Sequence, residues 1–360
     1  MKKVLASILS LAFALLLSPQ AAAQAGSGSL DYKLLKAAGD GDLAAVRQLL
    51  DKGTNIESRN RYGETALMVA VKKGKIDVAR LLITRGAYIE GRDNLDCLPL
   101  IIASISGNTD IVRLLLDKGA NIEARSYRGR TALHEAAYRK RSEVVRLLLE
   151  KGASIESKDD LGKTALILAA GDDITHAASK ESTDIVKLLL AKNPDIEAKD
   201  KDGDTALIAA ADSNNTEVVK LLLDKGANIM ASEKDGYPAL ICAAINNNTE
   251  LVNILLEKGA NIEASDKDGC TALNAAVQMD NFEVVKLLLA KGARIEAKTN
   301  KGYTSLIIAA QNGNTAIVYL LLEKGANIDA KDYDGKTALI WADAAGRTEV
   351  VKLLQEKGAH

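Results

Sequence analysis

The sequence predicts an all-α solenoid: about ten helix–turn–helix units with turn or β-hairpin fingers, stacked side by side. Three observations lead there. A marker triplet, Thr-Ala-Leu, begins at Thr65, Thr131, Thr164, Thr205, Thr271 and Thr337, with Leu98, Pro238 and Thr304 holding the same place in variant copies. Seven of the eight intervals between these nine positions are 33 residues and one is 41, and a fixed period of this length means a stack of repeats rather than one globular core. Gly-Ala pairs beginning at Gly86, Gly119, Gly152, Gly226, Gly259, Gly292, Gly325 and Gly358 give a second, concordant ruler. Aromatic residues are only 3% of the chain, so Leu, Val, Ile and Ala must do the packing.

The chain opens on a segment that does not share the period. Lys2 and Lys3 precede an apolar run from Val4 to Leu17, and Ser18-Pro19-Gln20 then leads to Ala21-Ala22-Ala23. This order of charge, apolar run and small residues predicts a cleavable secretory signal peptide and short linker over residues 1–25, with cleavage after Ala23 or Ala25. The apolar run is too short to span a bilayer. A short leader beginning Met-Lys-Lys is associated with bacterial export. The solenoid is expected over residues 26–360, with a divergent first unit at about 30–60.

One repeat, Asp200 to Ala231, shows how each piece is specified. Asp200-Lys201-Asp202-Gly203-Asp204 is turn chemistry around a glycine. Thr205 is placed to cap a helix, and Ala206 to Ala211 form a short helix whose small side chains allow neighbours to approach closely. Asn214 and Asn215 break it. Thr216-Glu217 opens a second helix with Val218, Val219, Leu221, Leu222 and Leu223 apolar and Lys220 outward, a broad apolar surface suited to packing on both sides. Gly226 ends that helix in the left-handed conformation. The 41-residue interval holds eight extra residues between Ala170 and Thr183, predicted to lengthen the turn between two helices; the loop is either neutral or contacts a partner. The same unit ends in Asn193-Pro194 instead of Gly-Ala, a more restricted pair. Gln48 and Gln355 replace leucines in the first and last units, as open end faces require.

Cys97 and Cys270 occupy equivalent places five repeats apart, about 50 Å at roughly 10 Å per unit, far beyond disulfide reach. Cys242 stands in an apolar helix place and reads as a small core residue. Neither a disulfide nor a metal cluster is expected.

Turn, short helix, turn, longer helix: the chain resembles the ankyrin repeat family, of the exported, signal-peptide-bearing type. The family pattern Asp-x-x-Gly-x-Thr-Pro-Leu-His-x-Ala-Ala, then Leu-Leu-Leu-x-x-Gly-Ala, is matched here by Asp-Gly-Asp-Thr-Ala-Leu and Leu-Leu-Leu-Asp-Lys-Gly-Ala. Thr131-Ala132-Leu133-His134 is the copy nearest the family's helix-one motif, and Ala usually replaces the family's Pro. The resemblance covers about residues 30–360. It implies that His134 bonds neighbouring loops, and that partners dock on a concave groove of turn tips and exposed ends of first helices.

Residues that vary between copies at those places are the candidate protein-binding set. Tyr62, Tyr127, Tyr237, Tyr303 and Tyr333 fall on turn tips, and Tyr138 ends a first helix. Tyrosine combines apolar area with a polar tip and is enriched at binding hot spots; a loop tyrosine can equally pack on the flank of the next repeat. The unit around Tyr127 carries eight basic residues (Arg125, Arg128, Arg130, Arg139, Lys140, Arg141, Arg146 and Lys151) against three acidic ones, and Arg128, Arg130 and Arg139 sit on variable places. Two units later Asp202, Asp204 and Asp212 are acidic counterparts, so a groove with basic and acidic ends would orient a polar partner.

No catalytic constellation is found, which disfavours an enzyme. Gly162-Lys163-Thr164 and Gly335-Lys336-Thr337 lack the earlier glycine of a phosphate loop, with Ser157 and Ala330 in its place. Asp200 to Asp204 lacks the closing Glu of a calcium loop, and Tyr138 stands where a zinc-protease helix needs its second His. His176 is isolated in the insertion and His360 ends the chain. A net charge of −1 argues against global binding to nucleic acid or an anionic membrane. The expectation is therefore a monomeric protein-binding module without cofactor or stable membrane insertion. Its expected role is a periplasmic scaffold or protective partner for another exported protein, or alternatively a secreted effector that engages host proteins.

Overall fold

The computed structural model describes residues 29–171 and 180–359. The predicted signal peptide, His176, most of the insertion and His360 lie outside the described residues. Among the described residues there are twenty helices and no strand, arranged as ten helix pairs. The chain divides between Asp195 and Ile196 into two compact units of five pairs each, directly after the Asn193-Pro194 pair.

In the first unit the pairs are α1 (Leu30–Asp40) with α2 (Leu43–Asp51), α3 (Ala66–Lys72) with α4 (Ile76–Thr84), α5 (Pro99–Ser106) with α6 (Thr109–Asp117), α7 (Ala132–Tyr138) with α8 (Ser142–Glu150), and α9 (Ala165–Ala170) with α10 (Lys180–Leu190). In the second they are α11 (Ala206–Asp212) with α12 (Thr216–Asp224), α13 (Ala239–Ile245) with α14 (Thr249–Glu257), α15 (Ala272–Gln278) with α16 (Phe282–Ala290), α17 (Ser305–Asn312) with α18 (Thr315–Glu323), and α19 (Ala338–Ala344) with α20 (Thr348–Glu356). Within each unit every first helix packs on its own second helix and on the first helix of the next repeat, and second helices pack along their own row.

The markers start the helices as expected. The Thr205 hydroxyl accepts from the Ile208 amide, and Thr164, Thr304 and Thr337 repeat the contact. Pro238 heads its helix without a side-chain cap, and Pro99 takes the first helical place, where its missing N–H costs nothing. Ala66, Ala70, Ala132, Ala136 and Ala210 are fully buried, so first helices meet at close range. Val218, Val219 and Leu222 of α12 are fully buried too, and each such side chain contributes about 1.5–3 kcal/mol. Leu221 is only half-buried, on the outer side of the row. Gln48 and Gln355 are exposed, as end units require.

The fingers take the turn form, three of them with a single antiparallel bridge: Arg59 with Thr65, Ser232 with Pro238 and Ser265 with Thr271. One expectation changes. The end of the insertion is not loop: α10 begins at Lys180, three residues before Thr183, the equivalent of the Thr216 that starts α12, so Lys180-Glu181-Ser182 extend the helix. Asn193 adopts φ 52°, the left-handed place that Gly226 fills at φ 88° in the next repeat.

Candidate functional site: turn tips and inner helix ends

Five of the nine tips are built around one carboxylate, and Asn60 and Thr299 supply the acceptor oxygen in two others. Oδ1 of Asp159 accepts from the amides of Leu161 and Lys163, both at 2.9 Å; Asp93, Asp200, Asp266 and Asp332 do the same in their own repeats. Six of the seven steps between neighbouring tips within the units are then tied by a backbone bond. The Asn94 amide donates to the Tyr62 carbonyl at 3.0 Å, and that of Asp160 to the Arg128 carbonyl at 3.0 Å. In the second unit the Lys234, Lys267 and Asn300 amides donate to Asp202, Asp235 and Asp268. The turn glycine is obligatory at such a junction: Gly129 has φ 67°, and a Cβ there would stand 2.3 Å from Oδ1 of Asp160.

A second staple runs beside the tips. One carboxylate per repeat accepts the backbone amide of the residue 31 positions on: Glu57 from Tyr88, Glu90 from Asn121, Glu123 from Ser154, Glu197 from Asn228, Glu263 from Arg294 and Glu296 from Asn327. Glu156 reaches Asp195 across the longer interval. Met230 takes the carboxylate's place in the second unit, half exposed.

Side-chain direction on a tip follows distance from the marker. The residue immediately before the marker turns inward in all nine copies: Glu64, Cys97, Arg130, Lys163, Asp204, Tyr237, Cys270, Tyr303 and Lys336 are all buried or half-buried. Residues three and four before the marker project outward.

That rule corrects the expected exposure of four candidates. Arg130 is 4% exposed; its Nε donates to Asp159 at 3.1 Å, Glu135 lies 3.7 Å from its Nη1, and its guanidinium covers the Tyr138 ring at 4.7 Å. It is a buried joint between repeats, not an exposed anchor. Tyr237 packs on the next turn and donates its hydroxyl to Asp266; burial, with the Asp266 charge, pushes its phenol up to about 12. Tyr303 packs edge-on against Trp341 with ring centroids 5.6 Å apart. Asp204 is half-buried with its amide held by Asp200. These tyrosines take the flank-packing alternative because the residue before a capped helix start already faces the next repeat.

The other candidates face outward or lie at the rim. Tyr127 is 74% exposed and Tyr333 70%. Tyr62 is half exposed beneath the Arg61 guanidinium, 4.7 Å from its ring. Arg128, Arg139, Asp202 and Asp212 are exposed, and Tyr138 is half-buried between Arg130 and Arg139. Tyr127, Arg128, Tyr138 and Arg139 thus share one repeat of the first unit; Asp202 and Asp212 belong to the second.

His134 is 1% exposed. Its Nδ1 accepts the Thr131 amide at 3.2 Å, and its Nε2–H donates to the carbonyls of Ser157 (2.9 Å) and Lys163 (3.1 Å). Burial holds its pKa below the usual value. It ties loops, as the sequence implied. Asn274 holds the same place in a later repeat, accepting from Thr271 and donating to Ser305.

Sequence reading missed Leu95 and Leu161, exposed at tips of the first unit, and Tyr88, 60% exposed in the staple row. Comparing the third residue before each marker finds the two leucines: it is Tyr62, Leu95, Arg128 and Leu161 in the first unit, but Asp202, Asp235, Asp268, Lys301 and Asp334 in the second. It also missed an outer cleft of about 630 Å³ lined by Phe282, Ala316, Tyr319 and Leu353, where other repeats carry Thr, Glu and Lys. Cys97, Cys242 and Cys270 form no disulfide, and burial pushes Cys97 and Cys270 up to about 12. Among the described residues no three His, Cys, Asp or Glu side chains stand close enough to hold a metal, and no helix is long and apolar enough to cross a membrane.

Against known proteins, the family model described as Ankyrin repeats (3 copies) matches residues 34–126, 160–233, 229–299 and 294–360. A second, Ankyrin repeats (many copies), matches residues 115–169. No curated protein matches the chain.

Proposed function

The chain belongs to the ankyrin-repeat family, a fold of protein–protein interaction modules, and from that premise we propose that it binds another exported protein through its turn tips and inner helix ends. The observation that carries this reading is the repeat around Tyr127. There an exposed tyrosine, two exposed arginines and a half-buried tyrosine share one repeat held by inter-repeat bonds. Tyr and Arg are the side chains that dominate binding hot spots, and a tip locked before binding lowers the ordering cost of association. The leader with Lys2, Lys3 and the Val4–Leu17 run supports export, and the role we propose is that of a periplasmic scaffold or protective partner.

Two experiments test the parts separately. The Arg128→Ala, Arg139→Ala, Tyr127→Ala variant should lose the proteins that co-purify with the native chain from the exporting organism, while its circular dichroism and melting stay unchanged. Undiminished capture would refute the face. The mass of the natural chain should correspond to a start just after Ala23 or Ala25; an intact N-terminus would refute export.

A further inference from the structure

The repeats are copies, so each serves as a control for the others. In the second unit the two residues at the outermost part of each tip are Lys201-Asp202, Lys234-Asp235, Lys267-Asp268, Asn300-Lys301 and Tyr333-Asp334. Four of these five pairs are polar throughout, the default for a solvated turn. In the first unit every one of the four tips replaces one of the two by a large apolar side chain: Tyr62 (47% exposed), Leu95 (69%), Tyr127 (74%) and Leu161 (56%). The fold does not need them, because the second unit builds the same turn with Lys and Asp. Four such residues on consecutive repeats form an exposed apolar row, and such rows mark contact sites.

The row has a fixed spacing. Helices of successive repeats pack about 8–10 Å apart, and each finger lays two chain passes side by side at about 4.8 Å, again close to 10 Å per repeat. Bonds from the Asn94 amide to the Tyr62 carbonyl and from the Asp160 amide to the Arg128 carbonyl hold the first and third steps of the row. A β-strand covers the distance in three residues, but its residues i and i+3 point to opposite faces. An α-helix covers it in about seven residues, yet it would set its intervening apolar residues on Asn94, Arg61 and Asp160, which are polar and exposed. A polyproline II segment advances about 9.3 Å per three-residue turn and returns the same face at every third residue. Its carbonyls have no internal partners, and Arg61 and Arg128 stand exposed beside the row to donate to them.

We propose that the tips of the first unit form a docking row for an extended polyproline II segment of a partner protein, one carrying an apolar side chain at every third residue. This rests on the reading of the tips as a contact face and names the partner chemistry that fits them. Tyr127 stands one residue earlier than the other three, with Arg128 in their place, so the third position of the segment is read by Tyr and Arg together.

The test uses the full chain and three synthetic twelve-residue peptides in fluorescence anisotropy. The first is proline-rich with Leu at every third position. The second has the same composition with Leu at every second position. The third is an alanine-based helix with heptad-spaced leucines. The first should bind at least about tenfold more tightly than the others, a difference of one decade in Kd. The variant Tyr62→Asp, Leu95→Asp, Tyr127→Lys, Leu161→Asp, which writes second-unit tips onto the first unit, should abolish that preference with unchanged melting. Leu95→Asp alone should weaken binding several-fold, and Asp235→Ala with Asp268→Ala should leave it as it is. No binding, equal binding of the peptides, preference for the helix, or indifference to the tip variant each overturns the proposal. If the peptide result fails while capture of natural partners still depends on Tyr127 and Arg139, this proposal falls alone. Capture that ignores every tip variant removes the contact-face reading as well.

Discussion

Arg130 and Arg139 look interchangeable as letters in a basic stretch, yet nine residues separate a buried ionic joint from an exposed side chain. Arg130 sits on the carboxylate of Asp159, itself 5% exposed, in the turn of the next repeat. Removing the guanidinium leaves that charge buried and unpaired, so Arg130→Ala should cost about 3–5 kcal/mol, whereas Arg139→Ala should change stability by less than about 0.5 kcal/mol; denaturant melts of the two variants check this. His134 makes a pH prediction of definite sign. Burial holds the folded ring neutral below its ordinary value of 6.5, so once the pH drops below about 6.5 the unfolded chain takes up a proton that the folded chain refuses. Its contribution is complete above that pH and is lost as pH falls toward the folded value. The difference in melting between native chain and His134→Asn should therefore shrink on acidification, because Asn274 already performs the same bonding without a proton to gain.

At the level of the turn, one polar side chain at its head, one glycine and one inter-repeat amide bond decide the geometry. Gly129 serves two demands at once: a positive φ, and room for Asp160 at a distance no Cβ tolerates. Gly129→Ala should cost more than about 2 kcal/mol, since a left-handed residue with a Cβ already pays 1–2 kcal/mol before any clash; thermal melting reads it. The marker rule belongs to this scale as well. The capped helix start fixes the direction of the residue before it, which is why Tyr303 meets Trp341 while Tyr333, four residues before its own marker, stands 70% exposed.

Across each stack, stability is close to a sum of repeat terms and neighbour terms. The glutamate staples are neighbour terms, and Met230 breaks their series in the second unit. Met230→Glu should let a carboxylate accept the Asn261 amide and stabilise that junction by about 0.5–1.5 kcal/mol. Hydrogen exchange should show added protection centred on α12 to α14, with little change in the first unit. Protection spread evenly over the chain would contradict the neighbour-limited account. Arg130→Ala should show the converse pattern, centred on α7 to α9.

Period, caps and helix ends were legible in the sequence because they answer to local rules: a hydroxyl before Ala-Leu, a glycine after three leucines, a carboxylate at the head of most turns. His134 was legible from its place in the helix-one motif, and Cys242 because most copies carry an apolar residue at its place. What only the tertiary structure decided was which side of a tip each side chain takes. Arg130, Tyr237 and Tyr303 are buried by groups that lie roughly thirty residues away, on the following repeat, and no periodicity within one copy reports that partner. Leu95 and Leu161, conversely, look like ordinary core leucines in the sequence and stand in solvent, because the turn that carries them ends before any neighbour can cover it.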